Sequence, residues 1–504
     1  MEYAIAVIDI GMTNKKVAIY DDQLHQLKAE YRTFDPLLVK NCQTHDLAAM
    51  ETWFIQELSQ AAAAYPIRAI AISTHGATFV CVGPDGTPAV PCVYYTHEPG
   101  DRFHEDFYAR YGNPETLQAK TGTPYFKALI NLAKGILFAQ QQFPEDFKKT
   151  RYILNYPQYW GYRFTGIAGA ENTYVGCHTY LWDWQQNKWS SVARELGIIE
   201  LLPKSIKHSW DVLGTIRSDV AAATGLRPDT IVTMGIHDSN ASLLPHFVKK
   251  GRQGFLLNST GTWCVIMNPV SHYGFKADEL GKVVFFNQSA FGSPVKTAIF
   301  LGGYEFETWA TILQQLHGRT DRPPYQPELY REILATKEAF LLPELTAGSG
   351  QFPQSKARVI EGGVEYPYRD ILTRKAIPPC FNNFERGIAV LRISLVMQTL
   401  TALERAGLQK GQEIFTEGGF RKNEAYNVLL SAALQDNPLN LTDIAEASAF
   451  GAAMTAKIAL TGKNLEDLRN DFTVLYQEIP KVQLAELGSY RQAWLAHIDT
   501  GRDE

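Results

Sequence analysis

A chain of 504 residues, 45% apolar and 20% charged, is too long for one ordinary core and reads as about two large α/β units of a globular protein. Its net charge of −5 and the lack of a strongly basic block exclude a nucleic-acid surface as its main purpose. No apolar run is read as long enough to cross a bilayer. The early acid in "MEYAIAVIDIG" is unlike a signal peptide, and the six scattered cysteines show no CxxC spacing. The expectation is therefore a cytoplasmic protein with buried reduced thiols, without a disulfide framework or structural zinc.

At the N-terminus, "YAIAVIDIG", "MTNKK" and "VAIYD" read as strand, polar turn and strand. Asp9 ends a buried strand and Gly11 permits a tight turn. Thr13 and Asn14 bring short donors, and Lys16 a cation. Such a turn is either an anion nest or a plain Asx hairpin, and the stretch alone does not decide. "IRAIAIST" and "PAVPCVYY" (88–95) read as strands, and "KALINLAKGILFAQQ" (127–141) as a helix.

In "TIVTMGIHDSNAS" a strand leads to Asp238. The carboxylate has the chemistry to take a proton in a cleft, or it caps the helix "NASLLPHF". A boundary is expected near residues 243–252, giving domains 1–245 and 246–504. "QGFLLN", "STGT" and "WCVIM" then repeat the strand–turn–strand unit, which predicts two related halves. After a loop at 319–328, "ERGIAVLRISLVMQTLTALERAG" is an amphipathic helix stopped at Gly407. "EIFTEGG" is a strand running into Gly418 and Gly419, where backbone can approach a phosphate or a flat ring. Asn423 caps the next helix or meets a base, and "IAEASAFGAAMTAKIAL" is a helix of small residues.

Taken together, D-x-G-x-T at Asp9, G-x-x-D-x-x-A around Asp238, N-x-x-G-T ending at Thr262, G-G-x-x-x-N ending at Asn423 and E-A-x-x-x-G-A-A from Glu446 form a specific set. With "YPQYWGYRFTG" (156–166), the set resembles the FGGY family of carbohydrate kinases. The resemblance implies an α/β fold of two duplicated actin-like (ribonuclease H-like) domains with a catalytic cleft between them. It implies ATP-dependent transfer of a phosphoryl group to a sugar hydroxyl, with ATP and magnesium as cofactors. Asp238 matches the base and Asp9 the magnesium carboxylate. Thr13 and Lys16 match the first phosphate loop, Gly261 and Thr262 the second. Gly418, Gly419 and Asn423 match the adenosine motif, and Gly303 a nucleotide-side glycine. His75, Gly76 and Thr78 match the sugar segment.

Three places depart from the pattern: Met12, Phe420, and "YYTHE" (94–98), which lacks the sugar-gripping Asp and Arg. Hydroxyl recognition then falls to His75, Thr78, His97 or Glu98. "TGTPYFKALINL" is similar to the rhamnulokinase-type branch, implying a ketose, with a 6-deoxyketose or a pentulose as candidates. The rival expectations are an actin-like ATPase without a sugar acceptor and a degenerate regulatory member. The expected partner is a small-molecule sugar, with no nucleic acid and no membrane; a homodimer is left open.

Overall fold

In the computed structural model, residues 1–444 and 446–499 are described. Strand β1 (Ala4–Ile10) is buried along its whole length, as the apolar run Ala4–Ile8 demands of a central strand, with Asp9 near its end. β2 (Asn14–Asp21) returns antiparallel to it, and β3 (Gln26–Thr33) extends the meander. Helix α1 (Leu47–Ala64), capped by Asp46, crosses over to β4 (Ile67–Thr74), which lies parallel to β1. The sheet is completed by β5 (Val212–Thr215), β6 (Ile231–Thr233) and β7 (Ile236–His237). Its order is β5-β6-β4-β1-β2-β3, with β7 also paired to β4.

Two expected elements are corrected. "PAVPCVYY" forms no regular strand among the described residues; it makes isolated bridges at Pro88 and Val93. Pro88 and Pro91 have no N–H for a ladder. The helix expected from residue 127 begins only at Leu132, as α2 (Leu132–Gln142). Asn131 uses its side chain to bond Pro124 O and Phe126 N, which folds residues 124–131 into a loop. Further on, α3 (Tyr156–Thr165) starts with Pro157 in its first turn and stops at Gly166 in the left-handed region.

Helix α4 (Asp238–Lys250) enters the segment 243–252, where the boundary is expected, and ends within it at Gly251. The second half then repeats the first: β8 (Phe255–Thr260), β9 (Cys264–Pro269), β10 (Val284–Gln288) and β11 (Pro294–Phe300) are followed by α5 (Gly302–His317). Next come α6 (Phe384–Arg405), β12 (Glu413–Gly418), α7 (Glu424–Ala433), β13 (Leu439–Thr442), α8 (Ala447–Thr461) and β14 (Tyr476–Glu478). The sheet order is β10-β11-β9-β8-β12-β13-β14. In each half the leading hairpin strand, β1 or β8, is central and lies parallel to a following strand, β4 or β12. This is the duplicated actin-like arrangement. α6 is apolar and long enough to cross a membrane by composition, but 94% of its apolar window is buried inside the second half.

The halves share a core. Ile5 and Val7 of β1 pack in one cluster with Leu244 of α4, Leu257 of β8, Phe415 of β12 and Ala452 of α8. α8 crosses α4 so closely that a Cβ on Gly451 would lie 2.0 Å from Ala241 O. The small residues seen in the sequence of α8 serve this backbone-to-backbone approach. All six cysteines are free and buried.

Candidate active site

Asp9 and Lys16 face each other across the β1–β2 hairpin, and Lys16 Nζ reaches Asp9 Oδ2 at 3.1 Å. Glu446, in the left-handed region just before α8, approaches Lys16 from the second half at 3.3 Å. Tyr31 of β3 donates to Glu446, and Ser448 Oγ donates to Asp9 Oδ2 at 2.8 Å. Lys16, expected at the phosphates, is thus the counter-ion of two carboxylates. Thr13 stands exposed in the turn above them. Lys15 points the other way: its buried Nζ donates to Met12 O at 2.7 Å, and burial pushes the amine down to about 8. Met12 therefore supplies a carbonyl that anchors the turn. Nothing local in the sequence marks roles for Lys15, Glu446 or Ser448: Glu446 and Ser448 act on Lys16 and Asp9 more than 400 residues away, and Lys15 acts on a backbone carbonyl.

Asp238 is delivered by β7, whose pairing with β4 through Ile236↔Ser73 and His237↔Thr74 sets the start of α4. His237, not Asp238, holds the N-cap position. Asp238 Oδ1 instead accepts from Ser239, at 2.6 Å from its backbone N–H and 3.2 Å from its hydroxyl. The simple capping alternative is not what the structure shows. About a third of the side chain, 32%, remains open to the cleft. Surrounding protein, and then the nearby Asp9 carboxylate, push its carboxyl up to about 7 against the Ser239 bonds. A carboxylate titrating there suits proton transfer near neutral pH.

Asp238 opens onto a cavity of about 230 Å³ lined from both halves. Its apolar wall is one cluster: Phe126 and Phe285 with Ile130 and Ile299. Its polar edge is Asp238, His178, His237 and Asn287, with Gly76 between the imidazoles. A Cβ on Gly76 would sit 2.9 Å from Nε2 of both His178 and His237, so only glycine admits both rings. His75 and Thr78 are not brought to this cavity. His75 is buried with Nδ1 bonded to Gly76 O at 2.9 Å, and the Thr78 N–H donates to Tyr174 Oη. His97 lies against Cys42 Sγ at 3.9 Å. Glu98 accepts from Ala128 N at 2.7 Å and bonds His104 at 2.8 Å, so it braces the loop carrying Phe126 and Ile130. His178, Trp263 and Asn287 line the cavity without any motif to announce them.

A second cavity, of about 500 Å³, is lined by Gly261, Thr262, Gly303, Gly419, Phe420 and Asn423, among others. Gly303 lies so near that a Cβ would be 2.0 Å from Gly261 O. Gly418, at φ +79°, stands behind the lining, with a Cβ position 2.0 Å from Thr260 O. Asn423 caps α7, its side chain accepting from Tyr426 N at 3.3 Å, and it also lines the cavity. Phe420 packs edge-on to Phe306 with ring centres 5.7 Å apart. Thr260, Gly261 and Thr262 face this cavity, while the next residue, Trp263, lines the other. One tight turn thus separates the two spaces. Asp9 is a hard oxygen donor of the kind magnesium takes, directly or through water, and here it is paired with Lys16.

The N-terminal domain model of the FGGY family of carbohydrate kinases matches residues 4–245, and the C-terminal domain model, "Carbohydrate kinase FGGY", matches residues 252–464. A carbohydrate kinase from Novosphingobium aromaticivorans is 25% identical over the full length of both chains, with a TM-score of 0.80. A xylulose kinase from Lactobacillus acidophilus shares the fold at 15% identity and a TM-score of 0.78, covering 99% of this chain and 97% of its own. A rhamnulokinase from Halalkalibacterium halodurans is 24% identical over 276 residues, 53% of this chain and 56% of its own. A xylulose kinase from Bacillus subtilis is 30% identical over 153 residues, 30% of each chain. These two alignments span about half and under a third of the curated relatives. The chain belongs to the FGGY family of carbohydrate kinases.

Proposed function

We propose that this protein transfers the γ-phosphoryl group of ATP to a hydroxyl of a ketose in the cytoplasm. The observation that carries the reading is the turn at Thr260–Trp263, which has one cavity on each side, with Asp238 in the acceptor cavity. In this reading ATP occupies the larger cavity, its phosphates at Thr13, Gly261 and Thr262 and its adenosine along Gly303, Gly419 and Asn423. The sugar lies against Gly76, His178 and His237. Asp238 takes the proton of the attacking hydroxyl as its oxygen bonds to the γ-phosphorus and the bond to ADP breaks. Magnesium, held by Asp9, would neutralise charge on the phosphate oxygens. Lys16 keeps the Asp9 and Glu446 carboxylates in place and lends positive charge beside them.

The apolar cluster of Phe126, Ile130, Phe285 and Ile299 favours an acceptor with a methyl group. Burying one CH₃ there contributes about 0.8 kcal/mol, whereas a hydroxyl left unpaired costs about 1–3 kcal/mol. A 6-deoxyketose is therefore preferred over its 6-hydroxy counterpart by roughly tenfold or more in kcat/KM. A coupled ADP-release screen over pentuloses, 6-deoxyhexuloses, hexuloses and polyols tests this. Sugar-stimulated ATP turnover supports the kinase, and glycerol outperforming every ketose would refute the acceptor class.

A further inference from the structure

Cys177, His178 and His237 bring a thiol and two imidazoles together, with ligand atoms all within 4.8 Å of one another. Cys177 Sγ lies 3.6 Å from His237 Nε2. The absent side chain of Gly76 leaves its Cβ position 2.9 Å from both Nε2 atoms, so the two rings aim at one point. Each ring is oriented from behind. His178 Nδ1 bonds Ile130 O at 3.2 Å, which leaves its Nε2 with a lone pair. His237 Nδ1 lies 3.4 Å from the side-chain amide of Asn240, whose Oδ1 is buried with no hydrogen-bond partner. Turning that amide lets Oδ1 accept from Nδ1–H and frees His237 Nε2 as well. Backbone or amide oxygens behind the ring are how metal-binding histidines are held. His178 also takes a positive φ of 39°, a strained conformation for a non-glycine that the fold keeps. Asp238 Oδ1 lies 3.4 Å from His237 Nε2, at the edge of this group.

Mixed sulfur and imidazole donors select a soft or borderline cation of the Zn²⁺ class, whereas magnesium takes hard oxygen donors such as Asp9. We propose that Cys177, His178 and His237 bind a Zn²⁺-class cation in the acceptor cavity. Given the kinase reading, the cation occupies the wall of His178 and His237 against which the sugar would lie, so it acts as an inhibitor competitive with the acceptor. Cys177 and His178 are adjacent, but His237 follows 60 residues after Cys177, so no zinc spacing is legible and the fold brings the third donor in.

The test uses the full-length reduced protein without nucleotide, sugar or magnesium, titrated with Co²⁺ as a spectroscopic substitute for Zn²⁺. The expected result is one equivalent bound, with near-ultraviolet thiolate-to-cobalt absorption that Zn²⁺ abolishes. Cys177→Ser should lose that absorption, and His178→Ala or His178→Gln should weaken binding about 10–100-fold, by analogy with the loss of groups supporting metal sites. Circular dichroism and melting on the same samples identify a misfolded variant, and the two His178 substitutions provide a fallback for each other. No thiolate band, or binding undiminished in folded Cys177 and His178 variants, overturns the site. Because no acceptor is present, this readout is independent of the kinase assay. Zn²⁺ inhibition that rising sugar concentration fails to relieve overturns the competitive role.

Discussion

Asp238 is the residue on which the proposed chemistry turns. Asp238→Asn keeps the size of the side chain and its acceptor for the Ser239 N–H but removes the proton acceptor. A loss of about 10²–10⁴-fold in kcat is expected, with ATP affinity nearly unchanged, because the nucleotide cavity does not include this residue. Turnover and melting temperature measured on one sample decide it; a folded variant with near wild-type kcat removes the assignment. The raised carboxyl also fixes the sign of the pH dependence. Below about 7 the group is protonated and cannot accept, so kcat/KM should fall about tenfold per pH unit on the acid side. Bound magnesium would offset the Asp9 contribution and move this limb lower, so the profile should be recorded across magnesium concentrations. Asp9 and Asp238 were legible because each stands at the end of an apolar run where a carboxylate is out of place. Glu446 and His178 were not, because each matters through partners that only the fold supplies: Lys16 for the first, Gly76 and His237 for the second.

At the level of elements, the proposed nucleotide cavity is built by backbones that touch. α5 begins at Gly302–Gly303 against the β8–β9 turn, and the end of β12 meets Thr260. In Gly303→Ala the new methyl would fall 2.0 Å from Gly261 O, backbone that cannot rotate away. The cost should be about 1–3 kcal/mol in stability. The displaced turn should raise the KM for ATP about tenfold or more while changing acceptor KM much less. Steady-state kinetics in both substrates reads this split, and equal rises in both would contradict the placement of the cavities. The hairpins of both halves and the helices carrying Glu424–Ala433 and Ala447–Thr461 were readable from apolar runs and turn residues. "PAVPCVYY" misled because its β-type composition outweighed two prolines, and residues 127–131 because Asn131 bonds backward to Pro124 and Phe126.

On the scale of the whole molecule, both halves contribute walls to the acceptor cavity and hold Asp9 between them through Lys16 and Ser448. ATP and sugar together should draw the halves inward and shed water that competes as acceptor. Small-angle scattering should show a smaller radius of gyration with both ligands than with either alone, and an unchanged radius under saturating ligands would speak against closure. The duplication was visible in sequence as two strand–turn–strand units. The shared core of β1, α4, β8 and α8 was not, since pairing between distant apolar stretches leaves no local periodicity.

The crossing of α4 and α8 at Gly451 and Ala241 has a consequence for redesign. Asp238 opens one of these helices, and Ser448, in the first turn of the other, holds Asp9. Much of the first-half lining of the acceptor cavity, by contrast, comes from segments outside both helices: Gly76 and Ala77, Tyr95, Phe126 and Ile130, Cys177 and His178. On the proposed reading, transfer chemistry and acceptor choice are thus carried by separable parts of the chain. Grafting those segments from a relative with another sugar would retarget the enzyme while leaving its phosphoryl-transfer apparatus in its original frame.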